Sequence, residues 1–215
     1  MAPDDEGRAA PGPVVRAHEG AGPTDFDAVY EGTPPWEIGR PQPALAELAD
    51  AGMFTGRVLD VGCGTGEHAL LAAELGLEAT GVDSSARAID IARAKAADRG
   101  LSVRFMVMDA LDLGSLGGQF DTVADSGLFH VFDDDRRARY VDSLRAVTAP
   151  GGRVLVLCFS DRQPGEWGPR RVTEEEIRAC FRDGWRVDAV DDARMVIVIS
   201  PDGARAWRAV VTRSP

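Results

Sequence analysis

From residue 26 onward, short apolar runs alternate with longer amphipathic stretches. The segments RVLDV (57–61) and EATGVD (78–83) are compact and rich in apolar and β-branched residues, so they predict strands on either side of a helix read in EHALLAAELG (67–76). SVRFMVMD (102–109), FDTVADS (120–126) and GRVLVLCF (152–159) predict three further strands. Between the second and third strands, SSARAIDIARAKAADRG (84–100) predicts a capped helix. Ser84 or Ser85 opens it, Ile89, Ala92 and Ala96 share one face, and Gly100 closes it. Upstream, PALAELADAGMF (43–54) predicts a short helix opened by Pro43 and closed by Gly52. This order predicts an α/β fold on a parallel, doubly wound sheet.

The tail breaks the alternation. After a helix in EEEIRACF (174–181), WRVDAVDDARMVIVIS (185–200) and ARAWRAVVTR (204–213) predict two strands close together, joined by a turn at Pro201, Asp202 and Gly203. Strands so close pair most easily as antiparallel neighbours. No internal repeat is visible. Residues 1–24 are rich in Pro, Gly, Ala and acids without apolar periodicity, and are expected to form a disordered or ligand-ordered leader. The leader and the Pro- and Gly-rich YEGTPPWEIGR (30–40), within residues 25–52, are expected to act as a lid on a single domain spanning 25–215.

Composition narrows the partners. A chain of 215 residues with 44% hydrophobic content buries one sizeable core. Its formal net charge of −11 argues against nucleic acid or an anionic membrane and leaves a small molecule as the expected partner. No apolar run approaches the ~20 residues that span a bilayer, and the acidic N-terminus lacks the pattern of a secretory signal, so a cytoplasmic location is expected. Cys63, Cys158 and Cys180 are widely spaced and suit neither a disulfide framework nor a zinc site; Cys158, inside an apolar run, reads as a small buried hydrophobe. No metal is expected.

The chemistry gathers around RVLDVGCGTGEHALL (57–71). A glycine-rich turn between strand and helix brings backbone N–H groups and a positive helix end to the carboxyl edge of a sheet, where a nucleotide-like ligand can sit. Asp83 closes the second strand about 20 residues after Gly62, where a carboxylate can accept both ribose hydroxyls; Asp109 closes the third. Dinucleotide enzymes use G-x-G-x-x-G, whereas Gly62, Gly64 and Gly66 read G-x-G-x-G with Asp60 just before them. An anion there repels a pyrophosphate and suits a ligand with a positive amine. S-adenosylmethionine, with an ammonium, a sulfonium and no phosphate, is favoured over NAD.

These residues resemble a family. VLDVGCGTG (58–66) is similar to the first motif of class I S-adenosylmethionine-dependent methyltransferases, Asp83 in GVDSS to their ribose-binding acid, and MDA (108–110) to their adenine-contacting segment. The resemblance, covering nearly all the chain from Phe26, implies a seven-stranded Rossmann-like sheet whose last strand runs antiparallel. With the residues above, it places Trp36, Asp60, Gly62, Cys63, Gly64, Asp83, Ser84, Asp109, Ala110 and Asp125 at the cofactor. A narrower likeness, in TPPWEIGRPQP (33–43), FDTVADSGLFHVFDDDRRARYVDSL (120–144) and WGPRRVTEEEI (167–177), is to the thiopurine, thiol and halide methyltransferases. Similar sequences occur among bacterial methyltransferases acting on quinones, phenols or heteroaromatic nitrogens. The family implies that Trp36 packs near the sulfonium, where its indole face adds cation–π attraction.

Methyl transfer from a sulfonium is an in-line displacement with an excellent leaving group, so the protein mainly aligns the nucleophile and excludes water. His130, following the fourth strand, is the best-placed proton acceptor, or else a residue shaping the pocket without proton transfer; His18 lies in the leader and His68 faces a helix start. Tyr30 is the second catalytic candidate, and Phe129, Trp167 and Arg170 are expected to line the acceptor pocket. Residues 133–135, three consecutive acids, read as a solvated helix N-terminus. The expected function is methyl transfer to a small soft or aromatic nucleophile, with thiol sulfur ahead of phenolic oxygen and heteroaromatic nitrogen. The alternatives are an S-adenosylmethionine-binding protein with lyase, cyclase or sensor function, and an NAD-dependent oxidoreductase.

Overall fold

The computed structural model describes residues 26–215, and the expected leader with His18 lies outside the described residues. Two short helices come first, α1 (Phe26–Val29) and α2 (Pro43–Asp50). Strands and helices then alternate as β1 (Arg57–Val61), α3 (Glu67–Glu74), β2 (Glu78–Asp83), α4 (Ala86–Asp98) and β3 (Val103–Val107). A 3₁₀ segment (Ala110–Leu116) leads to β4 (Phe120–Ser126), and a second (Phe129–Val131) leads to α5 (Asp134–Val147) and β5 (Thr148–Phe159). The chain ends in α6 (Glu174–Cys180), β6 (Trp185–Ile197) and β7 (Ser200–Arg213).

One seven-stranded sheet runs β3-β2-β1-β4-β5-β7-β6. β1 pairs in parallel with both β2 and β4, and β7 runs antiparallel to its neighbours β5 and β6. The expected fold class is therefore observed, with the last strand reversed. Chain order changes direction between β1 and β4, which opens a crevice beyond their carboxyl ends.

Strand periodicity sorts the core onto two faces. In β5, Leu155, Leu157 and Phe159 join Leu45, Leu70 and Ile89 from α2, α3 and α4, whereas Val154, Val156 and Cys158 join Tyr140, Leu144 and Ile177 from α5 and α6. Helix starts follow local chemistry. Ser85, not Ser84, caps α4 by accepting the N–H of Ala88 at 3.1 Å. Asp133 caps α5 by accepting from Arg136 at 2.8 Å, and Thr173 and Glu176 close a reciprocal capping box on α6. No helix among the described residues is long and apolar enough to cross a membrane.

The turn expected at Pro201, Asp202 and Gly203 is corrected. The chain reverses at Val198 and Ile199, and all three residues lie within β7. There Met195 faces Ala204 while Ile197 faces Ser200, so β7 carries extra residues in a bulge. Gly203 has φ +66, and a Cβ on it would stand 2.6 Å from the carbonyl oxygen of Met195. The glycine serves a bulge instead of a loop.

Candidate functional site

A cavity of about 870 Å³ opens at the carboxyl edge of the sheet where the strand order reverses. Its inner wall is the turn between β1 and α3. Gly62, Gly64 and Gly66 all have positive φ, and a Cβ on Gly64 would lie 2.6 Å from the Tyr30 hydroxyl, so Tyr30 packs directly on bare backbone. Asp83, at the end of β2, accepts the N–H of Gly64 at 2.8 Å and that of Ser85 at 2.9 Å. Burial raises its carboxyl above the ordinary range, against the pull of those N–H groups. Cys63, Ser84, Met108, Asp109 and Ala110 continue this wall, and Asp109 caps the following 3₁₀ segment by accepting from Leu111 at 2.9 Å.

Three expected site residues are not on the cavity wall. Asp60 is buried beneath the turn, where one oxygen accepts the N–H of Ala69 at 3.1 Å and the other has no hydrogen-bond partner. Burial is the main reason its carboxyl is pushed up to about 7. Asp125 is enclosed too: its oxygens accept from Leu128, Phe129 and the Tyr140 hydroxyl, and burial pushes it up to about 6. It braces the turn after β4. Phe129 turns away from the cavity and stacks on Phe181 with centroids 5.8 Å apart.

Residues 26–42 supply the outer wall. Trp36 donates its indole N–H to the Tyr30 hydroxyl at 3.0 Å and meets Phe26 and Tyr30 edge-on. Burial raises the Tyr30 hydroxyl above its ordinary range, reinforced by the Asp83 charge. Sequence reasoning missed what fastens this segment. The Gln42 amide accepts from the N–H of Val196 at 2.8 Å and donates to its carbonyl at 2.9 Å, while the N–H of Val198 donates to the Pro35 carbonyl at 2.8 Å. Glu37 reaches Thr65 of the turn and Lys95 of α4.

Leu128 packs on the turn at Gly62, and Phe159, Trp167, Met195 and Ile197 from one side of the sheet, with Phe132 from the other, line the cavity as an apolar, aromatic slot. Trp167 meets Phe159 edge-on at 5.8 Å, and Arg170, also on the wall, is ion-paired with Asp134 and Glu176. His130 lines the slot, and its Nδ1 accepts the main-chain N–H of Phe159 at 2.9 Å. Burial, followed by the charges of Arg137 and Arg171, pushes its pKa down to about 3. His68 lines the cavity as well. Its Nε2 accepts the N–H of Gln42 at 3.1 Å, its Nδ1 lies 4.0 Å from Asp60, and burial pushes it down to about 4. Both rings are neutral near pH 7.

The wall around the glycine turn carries Asp83 and Asp109, together with Glu37 and Glu67 whose charges are met by Lys95 and Arg99, whereas the arginines of the cavity, Arg40, Arg136 and Arg170, come from residues 26–42 and from segments beyond β4. Asp83 and Asp109, with no ion-pair partner among the described residues, and a bare-backbone floor fit a nucleoside cofactor bearing an ammonium and a sulfonium, and disfavour a pyrophosphate.

Residues 58–152 match the model of a family described as methyltransferase domain. The chain is 40% identical over 181 residues to the 2-heptyl-1-hydroxyquinolin-4(1H)-one methyltransferase of Mycobacteroides abscessus, covering 79% of this chain and 80% of that one. A solved structure described by the conversion of a disulfide bond into a thioacetal group during echinomycin biosynthesis superposes with a TM-score of 0.80 at 40% identity, covering 88% of this chain and 91% of that one. The fold is also similar to that of magnesium protoporphyrin IX methyltransferase from Synechocystis PCC 6803 with bound S-adenosylmethionine, with a TM-score of 0.62 at 22% identity over 80% and 76% of the two chains.

Proposed function

The chain belongs to the class I S-adenosylmethionine-dependent methyltransferases, and we propose that its acceptor is a small, largely apolar heteroaromatic molecule methylated on a hydroxyl oxygen, with a thiol sulfur as the next choice. The observation that carries this reading is the slot of Phe132, Phe159, Trp167, Met195 and Ile197 in the same cavity as the glycine turn. Such a wall gains free energy from flat apolar surface and offers little to a polar aliphatic molecule. The named substrate of the M. abscessus relative, a hydroxylated quinolone with an apolar chain, has that character, and this moves oxygen ahead of the sulfur expected from sequence.

Bound S-adenosylmethionine supplies a methyl group on a sulfonium, a leaving group that departs as a neutral thioether. Asp83 and Ser84 would hold its ribose, Met108, Asp109 and Ala110 its adenine, and the Gly62 to Gly64 backbone its amino-acid portion. Trp36 and Tyr30 close the lid over that half and exclude water. The aromatic slot fixes the plane of the acceptor, so that the heteroatom is aligned for displacement at no further entropic cost.

The test is a panel of hydroxyquinolones, phenols, thiols and azaheterocycles with methyl-labelled cofactor. Heteroaromatic hydroxyl compounds are expected to show kcat/KM at least 10²-fold above aliphatic thiols, roughly the discrimination of a few kcal/mol that a shaped apolar slot can give. The reverse order would overturn the acceptor assignment.

A further inference from the structure

Any acceptor with an O–H or S–H must lose a proton in the reaction, and the first question is which group could take it. A neutral imidazole has one lone pair available to a proton. In His130 that lone pair is on Nδ1 and points at the Phe159 N–H, 2.9 Å away; an amide can only donate, so Nδ1 carries no hydrogen and the ring proton is on Nε2. In His68 the lone pair is on Nε2 and is taken by the Gln42 N–H at 3.1 Å, which leaves Nδ1–H facing Asp60. Each ring of the cavity is thus locked by the backbone as a donor. Protonating either would set an N–H against an N–H in a buried site.

The carboxylates of the wall are committed as well. Both oxygens of Asp83 hold main-chain N–H groups, Glu37 and Glu67 are bound by Lys95, and Asp134 pairs with Arg170, while Asp109 and Asp133 each hold a main-chain N–H through one oxygen. The charges acting on His130 are those of Arg137 from α5 and Arg171 from the segment after β5, both cationic.

We infer that neither ring of this site serves as a general base and that the site is built for an acceptor that arrives already ionised, an acidic hydroxyl or a thiol, with the His130 Nε2–H as the donor that orients the anionic heteroatom. The inference rests on the acceptor reading above and sharpens it. The acceptor gives its proton to water before it enters. Its lone pair forms the new bond to the methyl carbon, the pair of the broken carbon–sulfonium bond returns to sulfur, and no proton passes to the chain. A neutral alcohol has no route through such a site, whereas an N-hydroxy heterocycle, an acidified phenol or a thiol does.

Two measurements test this. Long-range ¹H–¹⁵N correlation on the histidine-labelled full chain, assigned with H130N, is expected to show the His130 ring protonated on Nε2 only and not titrating above pH 5. A ring protonated on Nδ1, or one titrating between pH 6 and 8, overturns the inference whichever acceptors turn over. In kinetics, the rising limb of kcat/KM is expected to move with the pKa of each acceptor. H130N, whose amide can still accept from Phe159 but offers no donor at the Nε2 position, should lose about 10–100-fold in kcat, and H130Q, which restores that donor, should recover at least about tenfold of it. A limb fixed at one pH across all acceptors and abolished in H130N would make His130 a base and overturn the inference. No turnover of any aromatic acceptor would instead sink the acceptor reading, and the nitrogen shifts would still decide the tautomer.

Discussion

Asp83 accepts the N–H of Gly64 at 2.8 Å, so the acid that ends β2 also shapes the turn that follows β1. Its second oxygen holds Ser85 at 2.9 Å, and the carboxylate stands on the cavity wall between the two loops. Replacing Asp83 with Ala removes a charged acceptor from both loops and from any ribose in the cavity. Binding of S-adenosylhomocysteine is expected to weaken by ~1.5–3 kcal/mol, about 10–150-fold, with Asn intermediate because it keeps one acceptor. Calorimetry on folded variants checks this. An affinity unchanged in both would take Asp83 out of the cofactor site.

The two locked histidines predict an acid-sensitive fold. Unfolded imidazoles take up protons near pH 6.5, whereas burial holds His68 near 4 and His130 near 3 in the fold. Between those values the unfolded chain binds more protons, so the contribution of each ring is full above pH 6.5 and is lost as the pH falls toward its folded pKa. Asp60 and Asp125, pushed up to about 7 and about 6, act in the opposite sense over pH 4 to 7, because the fold binds their protons more tightly. A variant comparison isolates the ring. Relative to wild type, H130N should gain about 2 kcal/mol between pH 8 and pH 5 in urea unfolding, since it has no imidazole to protonate. A gap that stays constant would mean that the folded ring titrates normally.

The parts of this molecule legible in its sequence are those fixed by neighbours along the chain. β1, the glycine turn and α3 follow one another directly, and the spacing from Gly62 to Asp83 is set by one helix and one strand. What escaped are contacts made across the fold. Nothing in the pattern around His130 shows that its Nδ1 meets the N–H of Phe159, 29 residues away, and that contact decides which proton the ring carries. The alternation of its own strand takes Asp60 away from the cofactor position expected from its charge. Leu59 and Val61 pack in the core against α5 and α6, so by alternation Asp60 points to the opposite face, under α3, where it meets the N–H of Ala69. The Pro-Asp-Gly signal was overridden by tertiary bonds, since Gln42 clamps Val196 and Pro35 holds Val198, fixing the hairpin tip before that triplet begins.

The lid should be held by charge as well as by aromatic packing. Lys95 on α4 lies 3.3 Å from Glu37, 2.6 Å from the Thr65 hydroxyl and 2.7 Å from Glu67, and Thr65 in turn donates to Glu37. The lid, the glycine turn and α4 thus share one partly buried ammonium, where loss of a charged partner costs more than at an open surface. Glu37→Gln keeps the shape of the side chain and removes its charge, and should lower the free energy of opening the lid by about 1–2 kcal/mol. Hydrogen exchange of the Glu37 and Val198 amides, whose acceptors are the carbonyls of Pro34 and Pro35, should then quicken about 5- to 30-fold while exchange in β1 stays unchanged. Adding S-adenosylhomocysteine should slow both amides in the variant, because a ligand under the lid favours the closed form. Equal exchange in the two proteins would show that Trp36, Tyr30 and Gln42 hold the lid without Glu37, and that the ammonium of Lys95 serves Thr65 and Glu67 alone.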